Sequence, residues 1–307
     1  IIARYPKLVE KNIEYHEKLA KCTGKTKVLI GFCEFNRFYM GKRYFNSVAV
    51  LSNKKIETII RKTLLPVYSE FNDARYFQSA EFDSKERIIE IGKNRVGIVI
   101  CEENWADKDF FDHPVYSFDP VDKIIEEQKP DLIINCSSSP TRAKKEQLLH
   151  NMLSFVSKKY STPIAYVNQV GAVDNITFQG ASRLYDANGE ISARAKSFEE
   201  QFFIVEPNPK AKNYADINRV FALPNGLEKT LNSQKAFSLD YEPDLERAYL
   251  TITTSIRDYF HKNGFKRAVL GVSGGLDSSV TCVLLADALG KENVFAVSMP
   301  SKITSEA

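Results

Sequence analysis

Between Lys27 and Glu206 the chain is punctuated by short β-rich runs: KVLIGFCEF, FNSVAVLS, RVGIVICEE, DLIINCS, PIAYVNQV and EQFFIVE. Several are apolar almost without alternation. A strand open to water on one side alternates apolar and polar residues, so these runs read as strands covered on both faces. Between DLIINCS and PIAYVNQV, the stretch AKKEQLLHNMLSFVSKKY places Leu148, Leu149, Met152, Phe155 and Val156 at helical spacing. Doubly covered strands with a helix between them imply a layered α/β domain. Within it, LYDANGEI is expected to turn as a hairpin, with Asn188 and Gly189 taking the positive φ of a tight turn.

The pattern dissolves from Pro207 to about Glu242, where Pro, Asn and Gly are spread along the chain without a sustained period. A second unit then opens with a helix, LERAYLTITTSIRDYFHKNG, closing on Gly264. It continues with a buried strand RAVLGV, a helix SSVTCVLLADALG ending at Gly290, and a strand NVFAVSM. Strand, helix, strand is the opening of a parallel α/β sheet. The expected organisation is therefore a first domain over 1–207, a linker over 208–240 and the beginning of a second domain over 241–307.

Composition narrows the class. At 307 residues the chain has about two domains' worth of sequence. Its 42 Lys and Arg against 39 Asp and Glu leave a formal charge of +3, too little to suggest a nucleic-acid or anionic-membrane surface. No apolar run approaches the ~20 residues that cross a bilayer, and no signal-peptide pattern opens the chain. The five cysteines show no CxxC spacing, so a disulfide framework or cysteine-rich zinc site is not indicated. A cytoplasmic protein without nucleic-acid or membrane partners is expected. The first residue is Ile1, inside an amphipathic helix, and the chain stops at SMPSKITSEA; the expectation is a fragment lacking both ends.

Two motifs carry chemistry. SGGLDSS, Ser273 to Ser279, lies between the strand RAVLGV and the following helix. Glycines there let an anion approach the backbone, serine hydroxyls can donate, and the helix N-terminus offers free N–H groups, a cradle suited to a pyrophosphate. It is not a phosphate loop of the GxxxxGK[ST] kind; the only GKT, Gly24 to Thr26, has Leu19 where the first glycine should stand. The second motif is Cys101, at the end of the strand RVGIVIC, where the sites of parallel sheets gather. A nucleophilic thiolate needs a nearby cation or base, and the candidate cation is Lys62 in IIRKTLLP. Spacing alone does not pair Lys62 with Cys101. Cys136 competes, since it also ends a strand, in IINCSSSP, whereas Cys22, Cys33 and Cys282 read as packing residues.

The SGGLDSS loop resembles the pyrophosphate loop of the ATP pyrophosphatase superfamily, whose members adenylate a carboxylate or carbonyl and let ammonia or sulfur displace AMP. Residues 27–206, through IIRKTLLPVYSEFNDARYF, VGIVICEENWAD, IINCSSSPTRAKKEQLLHNML and IAYVNQVGAVDNITFQGASRLYDANGEISARAKSFEEQ, resemble the carbon–nitrogen hydrolase (nitrilase) superfamily. That resemblance implies an αββα sandwich and a Glu, Lys, Cys triad. The two units fused in one chain are similar to the glutamine-dependent NAD synthetase family, giving a nitrilase-type sandwich followed by the start of a parallel, Rossmann-like α/β domain. GMP and asparagine synthetases carry related ATP loops but unrelated glutaminase domains.

Carried over by position, the resemblance implies that Cys101 attacks the side-chain amide of L-glutamine and that Lys62 stabilises the oxyanion. Tyr68, Glu102, Ser139 and Lys145 are implied to contact glutamine. The triad Glu is expected ahead of Ile1, since neither Glu34 nor Glu70 sits in its motif. Gly271, Val272, Ser273, Gly274, Gly275, Leu276, Asp277 and Ser278 are implied to contact ATP, which brings Mg²⁺ on its phosphates. Nicotinic acid adenine dinucleotide is the implied acceptor, with internal passage of ammonia and a homo-oligomer. Three departures stand out. The family's CED is Cys101, Glu102, Glu103 here; its FDE is Phe71, Asn72, Asp73; and its NLSASP is NCSSSP, which is expected to put Cys136 beside the amide pocket. The competing readings are an amidase fused to a different ATP-dependent amidating domain, and an inactive fragment acting as an interaction module.

Overall fold

The computed structural model describes residues 5–38, 40–142, 145–202, 204–205 and 244–300. A three-stranded antiparallel sheet of β1 (Val28–Phe35), β2 (Tyr44–Ser52) and β3 (Lys55–Arg61) lies against a six-stranded sheet in the order β11-β10-β7-β6-β5-β4. In the larger sheet β5 (Asn94–Ile100), β6 (Leu132–Ser137) and β7 (Ile164–Asn168) are parallel. β4 (Ile88–Ile91), β10 (Arg183–Tyr185) and β11 (Ile191–Arg194) pair antiparallel at its edges.

Alternation explains the layers. On β2, Val48 and Val50 meet Val96, Ile98 and Ile100 of β5 between the sheets, while Ala49 and Leu51 face Ala20 of helix α1 (Pro6–Lys21); a one-turn helix α2 (Asp73–Tyr76) comes between β3 and β4. On the other side of β5, Val99 packs with Val121 and Ile124 of α3 (Pro120–Gln128) and near Leu149, Met152 and Val156 of α4 (Lys145–Tyr160). The order is helix, sheet, sheet, helix, and each fully buried aliphatic contributes roughly 1.5–3 kcal/mol. Gly97 is what lets α3 approach, since a Cβ there would stand 2.6 Å from Ile133 Cδ1 and 2.9 Å from Ile124 Cγ2.

Several expectations change in detail. Leu148 and Phe155, read as members of one apolar stripe, are 43% and 37% exposed; Leu149, Met152, Leu153 and Val156 are the buried set. The 186–190 turn is built by Asp186, whose carboxylate accepts the amides of Asn188 (2.8 Å) and Glu190 (3.0 Å). Only Gly189 takes a positive φ (+81°), so the connection is longer than a two-residue turn. The described residues of EQFFIVE form no strand, and Cys22, at the end of α1, is exposed rather than packed. The expected linker 208–240 lies outside the described residues.

The second unit begins with α5 (Asp244–Lys262), β12 (Ala268–Gly271), α6 (Leu276–Leu289) and β13 (Val294–Val297), with β12 and β13 parallel. β12 was expected to be buried, yet Val269 is 75% exposed, because among the described residues this sheet has only two strands. α5 packs on the hairpin of β8 (Val170–Val173) and β9 (Ile176–Gln179), with Asp258 accepting the Ala172 amide (2.7 Å) and Lys262 donating to the Ala172 carbonyl. Among the described residues no helix is long and apolar enough to cross a membrane.

Candidate active site

The parallel strands β5, β6 and β7 end on the same edge, and the site is assembled there. The pairing of β5 with β6 stops at Ile100 opposite Cys136. Cys101 then turns out of the strand with φ +45° and opens a tight helical turn, Cys101–Asn104. A side chain in the left-handed region costs on the order of 1–3 kcal/mol and persists only where its surroundings impose it. Here the imposition comes from both ends. Glu103 Oε2 accepts the Ile100 amide at 2.8 Å, and Asn135 Nδ2 donates to the Cys101 carbonyl at 3.1 Å.

Ser139 follows β6. Its amide donates to Asn168 Oδ1 at 2.8 Å, so the end of β7 holds the loop after β6 in place. The Thr141 amide donates to the Thr177 carbonyl of β9 at 2.8 Å, which steadies the same loop before α4 begins at Lys145. Tyr68 comes from the segment after β3 in the opposite sheet. Tyr68, Cys101, Glu102, Ser139 and Lys145 all line one cavity of about 300 Å³, with Phe71, Trp105, Arg142 and Leu148 completing its wall. A larger hollow of about 660 Å³, bordered by Phe38, Phe45, Arg61 and Gln78, holds no cysteine.

Lys62 does not line that wall. It is 3% exposed and donates to Asp73 Oδ2 at 2.9 Å. Burial would lower its pKa, but the negative charges of Cys101, Asp73 and Glu103 outweigh it and leave the ammonium above its ordinary value. Asp73, a methylene shorter than the family's Glu, therefore still reaches the lysine. Lys145 behaves oppositely: burial lowers it, with the charge of Cys101 opposing, and its ammonium sits 5.8 Å from the Phe71 ring and 5.9 Å from the Trp105 ring. Glu102, 3% exposed, accepts both Tyr68 Oη (2.8 and 2.9 Å) and Tyr116 Oη (2.7 Å), and burial followed by the Glu102 charge pushes the Tyr68 phenol up.

Cys136, expected beside the amide pocket, packs against the inter-sheet cluster that also holds Cys101, but it is absent from the cavity wall. Ile133 faces the helices while Leu132, Ile134 and Cys136 point between the sheets. Burial pushes its thiol up to about 12, the environment of an inert packing cysteine. Glu34 is engaged by Arg61 (2.6 and 2.8 Å) and Glu70 by Arg142. The wall residues Phe71, Trp105, Arg142 and Leu148 and the phenol of Tyr116 were not among the glutamine contacts that the sequence implied. Tyr116 sits in DHPVYSFDP, a loop with no periodicity to mark it.

The second motif is arranged differently. Gly271 ends β12, Gly274 takes φ +79°, Gly275 is the N-cap and Leu276 opens α6. The serines bond within the loop: Ser278 Oγ accepts the Ser273 amide (3.2 Å) and donates to the Gly275 carbonyl (3.0 Å). No side chain caps the helix, so its first amides are left to meet an anion. Among the described residues no cluster of three or more His, Cys, Asp or Glu side chains is placed to hold a metal ion.

The sequence model of carbon-nitrogen hydrolases matches residues 10–211, and that of NAD synthases matches residues 248–307. The chain is 33% identical over 313 residues to a glutamine-dependent NAD(+) synthetase of Thermotoga maritima, covering 97% of this chain and 51% of that protein. It is also 33% identical over 265 residues to a protein of the same name from Synechocystis sp., covering 86% of this chain and 44% of the relative. A solved glutamine-dependent NAD+ synthetase of Acinetobacter baumannii, in complex with ADP, superposes with a TM-score of 0.76 at 27% identity, over 97% of this chain and 50% of that one. The chain thus spans about half the length of the curated relatives it matches.

Proposed function

The chain belongs to the carbon–nitrogen hydrolase family, whose model covers residues 10–211, and we propose that it hydrolyses L-glutamine to supply ammonia for ATP-dependent amidation of nicotinic acid adenine dinucleotide to NAD. One observation carries the reading. Tyr68, the adjacent Cys101 and Glu102, Ser139 and Lys145 line a single cavity large enough for an amino acid, and the buried Lys62 ammonium feels the charge of Cys101.

The chemistry follows from the charges. Cys101 Sγ adds to the side-chain amide carbon, and the oxyanion that forms is met by Lys62, whose pairing with Asp73 keeps it protonated. Collapse of the tetrahedral adduct breaks the C–N bond, the departing nitrogen takes the proton given up by the Cys101 thiol, and ammonia leaves a thioester on Cys101. Water then cleaves the thioester to glutamate and the free thiol. Glu102, with two phenols aimed at its carboxylate, suits the α-ammonium of glutamine; Lys145 and Arg142 suit its α-carboxylate.

In the second unit, Gly271 to Ser278 would cradle the phosphates of ATP while the dinucleotide's carboxylate displaces pyrophosphate. Ammonia then displaces AMP and forms the amide. Mg²⁺ arriving with the phosphates would supply charge neutralisation for pyrophosphate as a leaving group. The hydroxyls of Ser273 and Ser278 and the carboxylate of Asp277, in the first turn of α6, are oxygen donors of the kind such a complex takes.

The test compares wild type with Cys101→Ala, measuring NAD formation from ATP and nicotinic acid adenine dinucleotide with glutamine or with ammonium. The variant is expected to lose the glutamine-driven reaction by at least about 1000-fold and to keep the ammonium-driven one. Absence of NAD from both nitrogen sources in wild type would sink the synthetase reading, and glutamine hydrolysis by Cys101→Ala would sink the pocket reading.

A further inference from the structure

Two charged side chains that do not line the cavity tie together the segments bearing Cys101 and Lys62. Glu103 has 0% exposed surface and Arg87 3%. Glu103 Oε2 accepts Arg87 Nη1 (2.8 Å) and the Ile100 amide (2.8 Å); Oε1 accepts Arg87 Nη2 (3.1 Å) and the Thr63 amide (2.7 Å). Arg87 Nη2 also donates to the Arg61 carbonyl (2.7 Å) and to Thr63 Oγ1 (2.8 Å). Ile100 immediately precedes Cys101, and Arg61 and Thr63 flank Lys62. One buried carboxylate therefore grips the backbone beside the nucleophile in one sheet and beside the cation in the other.

Stability alone is a poor reason to keep such a pair. Desolvating two charges costs about what their attraction returns, and apolar replacements of both partners are often neutral or stabilising. The grip has a more specific consequence. Cys101 is held in a left-handed conformation, and the amide before it is the one Glu103 engages. The opposite oxygen of the same carboxylate fixes the peptide after Lys62. A slip of either segment changes the distance between sulfur and ammonium, the quantity on which oxyanion stabilisation depends.

We propose that Arg87 and Glu103 are positioning residues that set the Cys101–Lys62 geometry for amide hydrolysis. The proposal rests on the reading of Cys101 as nucleophile and Lys62 as oxyanion partner. Since neither residue lines the cavity, substrate affinity should be spared while turnover falls.

The decisive variant is the double replacement Arg87→Met, Glu103→Met, assayed for ammonia release from glutamine beside Cys101→Ala and Lys62→Met. Its melting temperature is expected within a few degrees of wild type, with kcat down about 100-fold, the cost of an ~1 Å misplacement, and KM within about threefold. A folded double variant with wild-type kcat overturns the proposal. If the double variant does not fold, Arg87→Lys decides, because it keeps the charge and loses the fork that reaches Glu103, Arg61 and Thr63 together. A kcat about tenfold lower at unchanged KM then supports positioning, and an unchanged kcat rejects it. Wild-type hydrolysis by Cys101→Ala or Lys62→Met instead removes the premise, a result distinguishable from failure of the brace alone.

Discussion

The two candidate sites of this chain are built on opposite plans. In the sandwich, Lys62, Glu102 and Glu103 are each at most 3% exposed, and every one is engaged by a partner from a distant segment. At the SGGLDSS loop the residues are mostly exposed and bond to one another within six positions. The first site is made by packing, the second by local backbone geometry. A change at the first should therefore travel through the fold, and a change at the second should stay where it is made.

Lys62→Met presses that contrast hardest. It removes the cation expected to meet the oxyanion and leaves Asp73 without its partner, so glutamine turnover is expected to fall about 100- to 1000-fold and stability to drop by about 3 kcal/mol. Single-turnover kinetics and urea denaturation read the two effects separately. Ammonium-driven NAD synthesis should continue under conditions where the variant is folded. A parallel fall there would mean that the two sites do not differ in the way the packing indicates.

A titration sharpens the same point within the sandwich. Burial pushes Asp119, the N-cap of α3, up to about 6, although the amides of Asp122 (3.3 Å) and Val121 (2.8 Å) pull it down. A carboxyl whose folded pKa is raised stabilises the fold most below its unfolded value and loses that contribution as pH rises through about 6. Between pH ~4 and ~6.5 the loss is on the order of 2–3 kcal/mol. Asp119→Asn keeps the capping oxygen and should flatten this dependence in urea midpoints measured across that range; an unchanged slope would show that the carboxyl does not titrate as its burial requires.

The smallest effects come from two glycines. Gly97→Ala drives a methyl into Ile133 and Ile124 and is expected to cost about 1–3 kcal/mol, detectable as a lowered melting temperature. Gly274→Ala meets no atom within 4 Å and has only its φ of +79° against it, about 1 kcal/mol. It should raise the KM for ATP while leaving glutamine hydrolysis unchanged. Equal losses of glutamine hydrolysis in both variants would erase the distinction.

The layered α/β architecture was legible because buried strands and amphipathic helices carry their period in the chain: β2, β5, β6 and α4 lie where the apolar runs put them. The SGGLDSS loop was legible too, since strand, glycines and helix start follow one another. Cys101 and Lys62 stood out in the chain as a strand-end thiol and a candidate cation, but their pairing and the cavity residues Tyr68, Glu102, Ser139 and Lys145 were reachable only through resemblance to a family. Their separations in sequence say nothing of the edge where they meet. Phe71, Arg142, Leu148 and Tyr116 escaped because each reads as an ordinary loop or helix residue.

What the chain determined alone is what depends on neighbours in sequence: helix and strand periods, the glycine turn at 274, and the apolar runs that must be covered. What tertiary structure decided is everything set by a choice of face or partner. Cys101 and Cys136 sit at the ends of adjacent strands and look equivalent in sequence. Both touch the cluster between the sheets, but only Cys101, turned out of its strand at φ +45°, also lines the cavity. Likewise Glu103 looks like one of two adjacent carboxylates until the sandwich closes, when its two oxygens take amides from separate sheets. The reason is physical: periodicity is a local property of the backbone, whereas burial and charge pairing exist only once distant segments have packed.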